Sequence, residues 1–251
     1  MDEQAFASGC GCVSVMLFAT GKQTYNDAGV ELYPSYVSMD EFVDVEALRS
    51  LDPYITQRVK SHILQESDPL FLNMHRLEAD SPYQPGVREV WLRRTVPGTP
   101  YDYFDVDRTE VWEYTEAASE FTLLVDFLKR LPFSSFGRML LIYDDGGREV
   151  PAHRDHEATD VCHEFIWMRT NRKKPFYVLN ESTGEKKYID GYTAWFDTVN
   201  QYHGSDAGDS LTFSIRVDGR FTDEFREQIP FDRENPASTP AIWAAKRGGT
   251  A

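Results

Sequence analysis

The sequence predicts a mainly β fold, a sandwich or barrel of closely spaced strands with helices packed against its outside. Three observations lead there. From residue 138 onward the apolar pattern has a period of two, in short runs rich in Val, Ile, Phe, Tyr, Trp and Thr. Turn signals separate the runs: Asp-Asp-Gly-Gly at 144–147, Ser-Thr-Gly at 182–184, Asp-Gly at 190–191 and Gly-Ser-Asp-Ala-Gly-Asp at 204–209. Helical spacing is confined to the first half, and helices followed by strands suit helices that buttress a β-core.

Taken in order, VSVMLFA (13–19) reads as a strand, far too short to cross a bilayer. MDEFVDVEALRSL (39–51) has helical spacing, with Phe42, Val45 and Leu48 on one side. Pro53 opens a second helix in which Ile55, Val59 and Ile63 recur every four residues. VREVWLRRT (87–95) alternates as a strand, and EYTEAASEFTLLVDFLKRL (113–131) is the strongest helical pattern, ending before Pro132. Seven strands follow: RMLLIYD, REVPAH, CHEFIWMR, PFYVLN, EKKYID, TAWFDTV and LTFSIRV. One domain is expected over 1–230, with a supporting, substrate-recognition half at 1–135, a β-core at 136–221 and a loosely ordered tail at 231–251.

The chain has 251 residues, 41% hydrophobic and 14% aromatic, enough for a substantial core. Its formal charge of −15 disfavours nucleic acid and anionic membrane as partners and leaves a small-molecule substrate as the expected one. Three cysteines do not make a disulfide framework, and no basic leader is evident, so a cytoplasmic setting is expected. Oligomeric state is not legible.

The chemistry concentrates in PAHRDHEATDVCH (151–163), which holds three of the chain's 6 histidines. On an extended segment His153 and Asp155 share a face, while Arg154 and His156 point the other way. A third ligand is offered by His203, between the strands TAWFDTV and LTFSIRV, because a jelly roll brings such distant strand ends to one mouth. Two imidazoles and one carboxylate on one face of an octahedron form the facial triad of non-haem Fe(II) oxygenases. In LTFSIRV the polar Thr212, Ser214 and Arg216 alternate with Phe213, Ile215 and Val217, which places the polar set inward. A buried arginine needs an anion, and no fixed partner for it is obvious. A dicarboxylate would serve, with Ser214 or Thr212 donating to the same oxygens.

FGRMLLIYDDGGREVPAHRD, CHEFIWMR, GYTAWFDTVNQYHGSD and SIRVDGRF resemble the Fe(II)- and 2-oxoglutarate-dependent dioxygenases, and within them the aspartyl/asparaginyl β-hydroxylase-like branch. The likeness covers about 136–221. It implies a double-stranded β-helix (a cupin-like jelly roll), iron held by His153, Asp155 and His203, 2-oxoglutarate as cosubstrate with its far carboxylate on Arg216, and O2 as oxidant. It implies a pocket role for His163, and hydroxylation of an amino acid, an amino-acid derivative or a natural-product intermediate. The presence of Asp155 favours oxygen transfer over halogenation. The step from His203 to Arg216 is longer than the branch usually shows, so GSDAGDS reads as an inserted loop.

Trp167 and Arg169 share the face of His163 and are candidates to contact substrate, as is Tyr143. Tyr143 and Arg138 lie on opposite faces of their strand, so at most one points inward. Tyr101, Tyr103 and Phe104 form a candidate lid. Two other readings stay open. In a cupin-like metalloenzyme without 2-oxoglutarate, Arg216 would hold the substrate's own carboxylate. In a non-catalytic β-sandwich binding module, His153 and Asp155 would be a surface ion pair.

Overall fold

The computed structural model describes residues 36–63, 88–99, 106–144, 149–155, 164–180, 183–196, 198 and 202–229. The candidate strand 13–19, the candidate lid, His75, His156, His163, the cysteines and the tail lie outside them.

Eleven strands are described, β1 (Val37–Ser38), β2 (Arg88–Thr95), β3 (Trp112–Tyr114), β4 (Phe133–Asp144), β5 (Val150–His153), β6 (Phe165–Arg169), β7 (Phe176–Leu179), β8 (Lys186–Tyr188), β9 (Thr193–Trp195), β10 (Tyr202–Ser205) and β11 (Thr212–Phe221). The helices are α1 (Val45–Ser50), α2 (Asp52–Ile63), α3 (Glu116–Glu120), α4 (Thr122–Leu128) and α5 (Asp223–Gln228).

From β4 onward the chain winds between two sheets. The larger has the order β1-β9-β6-β11-β4-β2-β3 and the smaller β5-β10-β7-β8. Antiparallel pairing is nested: β4 with β11, β5 with β10, β6 with β9, and β7 with β8. First pairs with last and innermost with innermost, so a long two-stranded ribbon is coiled on itself. That is a double-stranded β-helix, a jelly roll, and it is mainly β with a few flanking helices.

All seven strands expected after residue 138 are present, and the first starts five residues earlier. The eighth, β10, carries His203 and was expected as loop. Arg94 and Thr95 of β2 pair with Glu113 and Trp112, so 112–114 form an edge strand and not a helix start. The rest of the expected long helix is broken at Phe121, which has φ −114° and ψ 41° and no exposed surface. Burying that ring outweighs one unbroken helical path. The first expected helix is shortened for a local reason. Asp44 caps α1 by accepting from Ala47 N–H at 2.9 Å. The Asp40 carboxylate is taken by the backbone N–H groups of Tyr192 and Thr193 and by the Thr193 hydroxyl.

Alternation on β11 divides the interior. Phe213, Ile215 and Val217 join one core with Leu48, Ile55 and Val59 of the first two helices and Phe121, Leu124 and Leu128 around α4. Thr212, Ser214 and Arg216 face the other way, into the space between the sheets. Among the described residues no helix is long and apolar enough to cross a membrane.

Candidate metal centre

His153 ends β5, His203 lies in β10, and the antiparallel register sets them directly opposite each other. Opposed residues on neighbouring strands share a face, so the rings lie side by side with centroids 4.5 Å apart. Asp155 follows His153 by two residues, and its backbone N–H donates to the Thr198 carbonyl at 2.9 Å. Its Oδ1 then lies 3.2 Å from His203 Nε2 and 3.8 Å from His153 Nε2. One donor atom from each residue lies within 4.8 Å of the others, and among the described residues this is the one such group of His, Cys, Asp or Glu.

The protonation pattern suits a metal. His153 Nδ1 is 2.8 Å from the Pro151 carbonyl. A carbonyl only accepts, so Nδ1 carries the proton and Nε2 presents its lone pair beside Asp155. Burial, with the His203 ring adding to it, holds the His153 imidazole below its usual value against the pull of Pro151 and Asp155. Burial alone would push the Asp155 carboxyl up, but His203 and the Arg216 guanidinium outweigh it and hold the group well below the usual carboxylate range. A neutral imidazole and an ionised carboxylate are the ligand forms a divalent ion requires. The Thr198 hydroxyl lines the same cavity beside the Asp155 carboxylate and helps to keep it ionised. Donor set, spacing and tautomer fit a three-ligand ion site of the iron type.

The cavity encloses about 110 Å³, room for a small ligand. Its walls are Phe165 and Trp167 of β6, Phe176 of β7, Phe196, and the polar face of β11 at Thr212, Ser214 and Arg216. Trp167 donates its indole N–H to Ser214 Oγ. Gly204 follows His203 because nothing larger fits: a Cβ there would meet the Val150 carbonyl at 2.5 Å and the Tyr177 hydroxyl at 2.8 Å.

Arg216 was expected to lack a fixed partner, and this is corrected. Its Nη1 donates to Asp155 Oδ2 at 2.7 Å, and its Nε to Asp218 Oδ1 at 2.8 Å. Asp218 in turn accepts from Arg138 Nε at 2.9 Å. Burial works against the Arg216 charge, and Asp218 and Asp155 overcome it. Asp218 was legible, since two residues along a strand return to the same face; Asp155 comes from a distant strand and was not.

Arg169, expected to contact substrate, does not line the cavity. Its guanidinium donates to the carbonyls of Gly191, Lys174 and Ile189, and it clamps the loops at the end of β6. The backbone supplies those acceptors, so side-chain identity gave no hint of them. Tyr143 borders the cavity, yet it pairs with Phe213, whose side chain belongs to the opposite face, and it is buried in the core. Arg138 is the member of that pair that turns toward Asp218.

No family model matches the chain, and no curated protein matches it. Among solved structures, a prolyl-4-hydroxylase of Pseudomonas putida aligns with 72% of this chain and 89% of its own, at 12% identity and a TM-score of 0.40. The ribosomal oxygenase YcfD of Escherichia coli aligns with 66% of this chain and 55% of its own, at 11% identity and a TM-score of 0.30.

Proposed function

We propose that the protein is an Fe(II)- and 2-oxoglutarate-dependent oxygenase that hydroxylates a C–H bond of a small molecule, an amino acid, an amino-acid derivative or a natural-product intermediate. The observation that carries the reading is the His153, Asp155 and His203 cluster at a cavity between the two sheets of a double-stranded β-helix. Iron held there, with 2-oxoglutarate, would couple the reduction of O2 to decarboxylation of the 2-oxo acid, giving succinate, CO2 and one oxygen atom inserted into the substrate C–H bond.

The protein's own tasks are positional. Pro151 fixes the His153 tautomer through a 2.8 Å contact. Cross-strand pairing presents both imidazoles from rigid backbone. Phe165, Trp167, Phe176 and Phe196 exclude water from the cavity and surround any bound ligand with apolar surface. Thr212 and Ser214 offer hydroxyls on β11, the strand next to β6 in the same wall, suited to carboxylate oxygens of a cosubstrate.

A second reading is a cupin-like metalloenzyme that does not use 2-oxoglutarate; the Arg216 guanidinium, engaged by Asp155 and Asp218, is then committed neither to a 2-oxo acid nor, as first expected for this reading, to a substrate carboxylate. An anaerobic titration separates the two. Metal-free protein receives Fe(II) and then 2-oxoglutarate while the visible spectrum is recorded. The oxygenase reading expects a weak charge-transfer absorption that grows with 2-oxoglutarate and disappears in His203→Ala. Iron binding without that absorption selects the second reading. Absence of iron binding rejects both.

A further inference from the structure

We propose that Arg216 is a positioning residue for the carboxylate ligand Asp155, the last link of a buried chain Arg138–Asp218–Arg216–Asp155, and that it is not the seat of the cosubstrate's far carboxylate. The proposal rests on the reading of His153, Asp155 and His203 as an iron site.

The geometry divides the two oxygens of Asp155 between two tasks. Oδ1 faces the imidazoles, 3.2 Å from His203 Nε2 and 3.8 Å from His153 Nε2. Oδ2 is turned away from them and accepts from Arg216 Nη1 at 2.7 Å. Rotating the carboxylate to exchange its oxygens would break that charge-assisted bond, so one oxygen is kept aimed at the metal position.

The guanidinium is itself held from two further sides. Its Nε and Nη2 both lie 2.8 Å from Asp218 Oδ1. The guanidinium lies over the Phe165 ring, 4.2 Å from Cζ to centroid. Asp218 is fixed in turn by Arg138 Nε at 2.9 Å on its other oxygen. The backbone explains why these groups meet. Arg216 and Asp218 alternate onto one face of β11, and the pairing of β11 with β4 shifts between Val217 and Gly219. A bulge at that point re-aims the Asp218 carboxylate toward the Arg138 side of β4.

Charge balance argues the same way. Two guanidinium and two carboxylate groups sum to zero, and the side chains of Arg216 and Asp218 are both 9% exposed. The pair needs no added anion to offset a buried charge. Along β11 the cavity face runs Thr212, Ser214, Arg216, so the hydroxyls occupy the stretch farther from Asp155. Those hydroxyls, and not the engaged guanidinium, are the donors this face of the cavity offers to the far end of a small dicarboxylate.

The experiment is Co(II) binding to the full-length, metal-stripped protein without any 2-oxo acid, followed by the visible d–d spectrum, for wild type, Arg216→Met, Arg216→Lys, Asp218→Asn and Ser214→Ala. Positioning groups one step removed from a metal change affinity about 10- to 100-fold. The expected result is loss of that order in Arg216→Met, a smaller loss in Asp218→Asn (which touches no ligand), a shifted spectrum with partial recovery in Arg216→Lys, and wild-type behaviour in Ser214→Ala. Wild-type Co(II) affinity and spectrum in Arg216→Met and Asp218→Asn, with 2-oxoglutarate binding lost only in Arg216→Met, would overturn the proposal and make Arg216 the anchor. If Arg216→Met does not fold, Arg216→Lys and Asp218→Asn decide on the same criteria. A wild-type protein that binds no Co(II) refutes the iron reading on which the proposal stands, a result separate from either pattern among the variants.

Discussion

Gly204→Ala tests how tightly the fold controls the metal geometry. Gly204 follows His203 on β10, and its missing Cβ faces the Val150 carbonyl of β5 at 2.5 Å and the Tyr177 hydroxyl at 2.8 Å. Tyr177 can swing away, but Val150 is backbone and sits three residues before His153 on the strand that pairs with β10. Relief of the clash must therefore push β5 and β10 apart, and those strands carry the two imidazoles. Overpacking of this kind costs about 1–3 kcal/mol, and for a chain of this size each kcal/mol lowers Tm by about 2–4 °C. Gly204→Ala is expected to melt about 2–12 °C below wild type by circular dichroism and to bind Mn(II) several-fold more weakly by titration calorimetry. Tyr177→Phe in the same background should restore little, because the closer contact is with backbone. A Gly204→Ala protein with wild-type Tm and wild-type Mn(II) affinity would refute the argument, since the strands would then have absorbed a methyl group without moving.

Two further predictions concern the frame around the site. Arg226 of α5 grips Glu164 through Nε to Oε1 at 2.7 Å and Nη2 to Oε2 at 2.9 Å, and Phe221 N–H donates to the same carboxylate at 2.7 Å. Both side chains are under one tenth exposed, so Arg226→Met strands a buried charge and is expected to cost about 3–5 kcal/mol by urea denaturation; adding Glu164→Gln should recover part of it, and a double variant no more stable than the single one counts against a buried pair. Asp218 gives a pH dependence: burial opposes its ionisation, but Arg138 and Arg216 prevail and hold its pKa below the usual value. A carboxylate depressed in the fold stabilises fully above its unfolded pKa of about 3.9 and loses that contribution as pH falls through the folded value. Asp218→Asn should be less stable than wild type at neutral pH, with the gap narrowing below about pH 4, and a gap that stays constant in acid would contradict this.

What was legible in the chain followed the reach of local rules. His153 with Asp155, and Thr212 with Ser214 and Arg216, are same-face sets on single strands, and alternation alone finds them. The strand β10 was missed because Tyr-His-Gly-Ser has no apolar alternation and contains a glycine. Its extended state is imposed from outside, by hydrogen-bonded neighbours on both edges, β5 and β7. The break at Phe121 belongs to the same class, because the periodicity of 113–131 is helical throughout and only tertiary burial of one ring interrupts it. Arg169 shows the limit most clearly. Alternation turns it inward beside Trp167, yet three carbonyls from the loops after β6 and β8 capture its guanidinium. No pattern of side chains encodes where those carbonyls will be.

The nested pairing of the strands also sets the order in which loop closure becomes costly. β7 and β8 are joined by the short connection 180–185, while β5 and β10 enclose about fifty residues between His153 and His203. An ion ligated by both histidines would therefore act as a clasp across one of the widest loops of the barrel. Chain entropy resists that closure more than it resists the inner hairpin, and long-range pairings of this kind are slow to form. Ligation energy would be delivered to one of the costlier closures, so an ion there would cinch the outer turns of the coil in addition to any chemistry it performs.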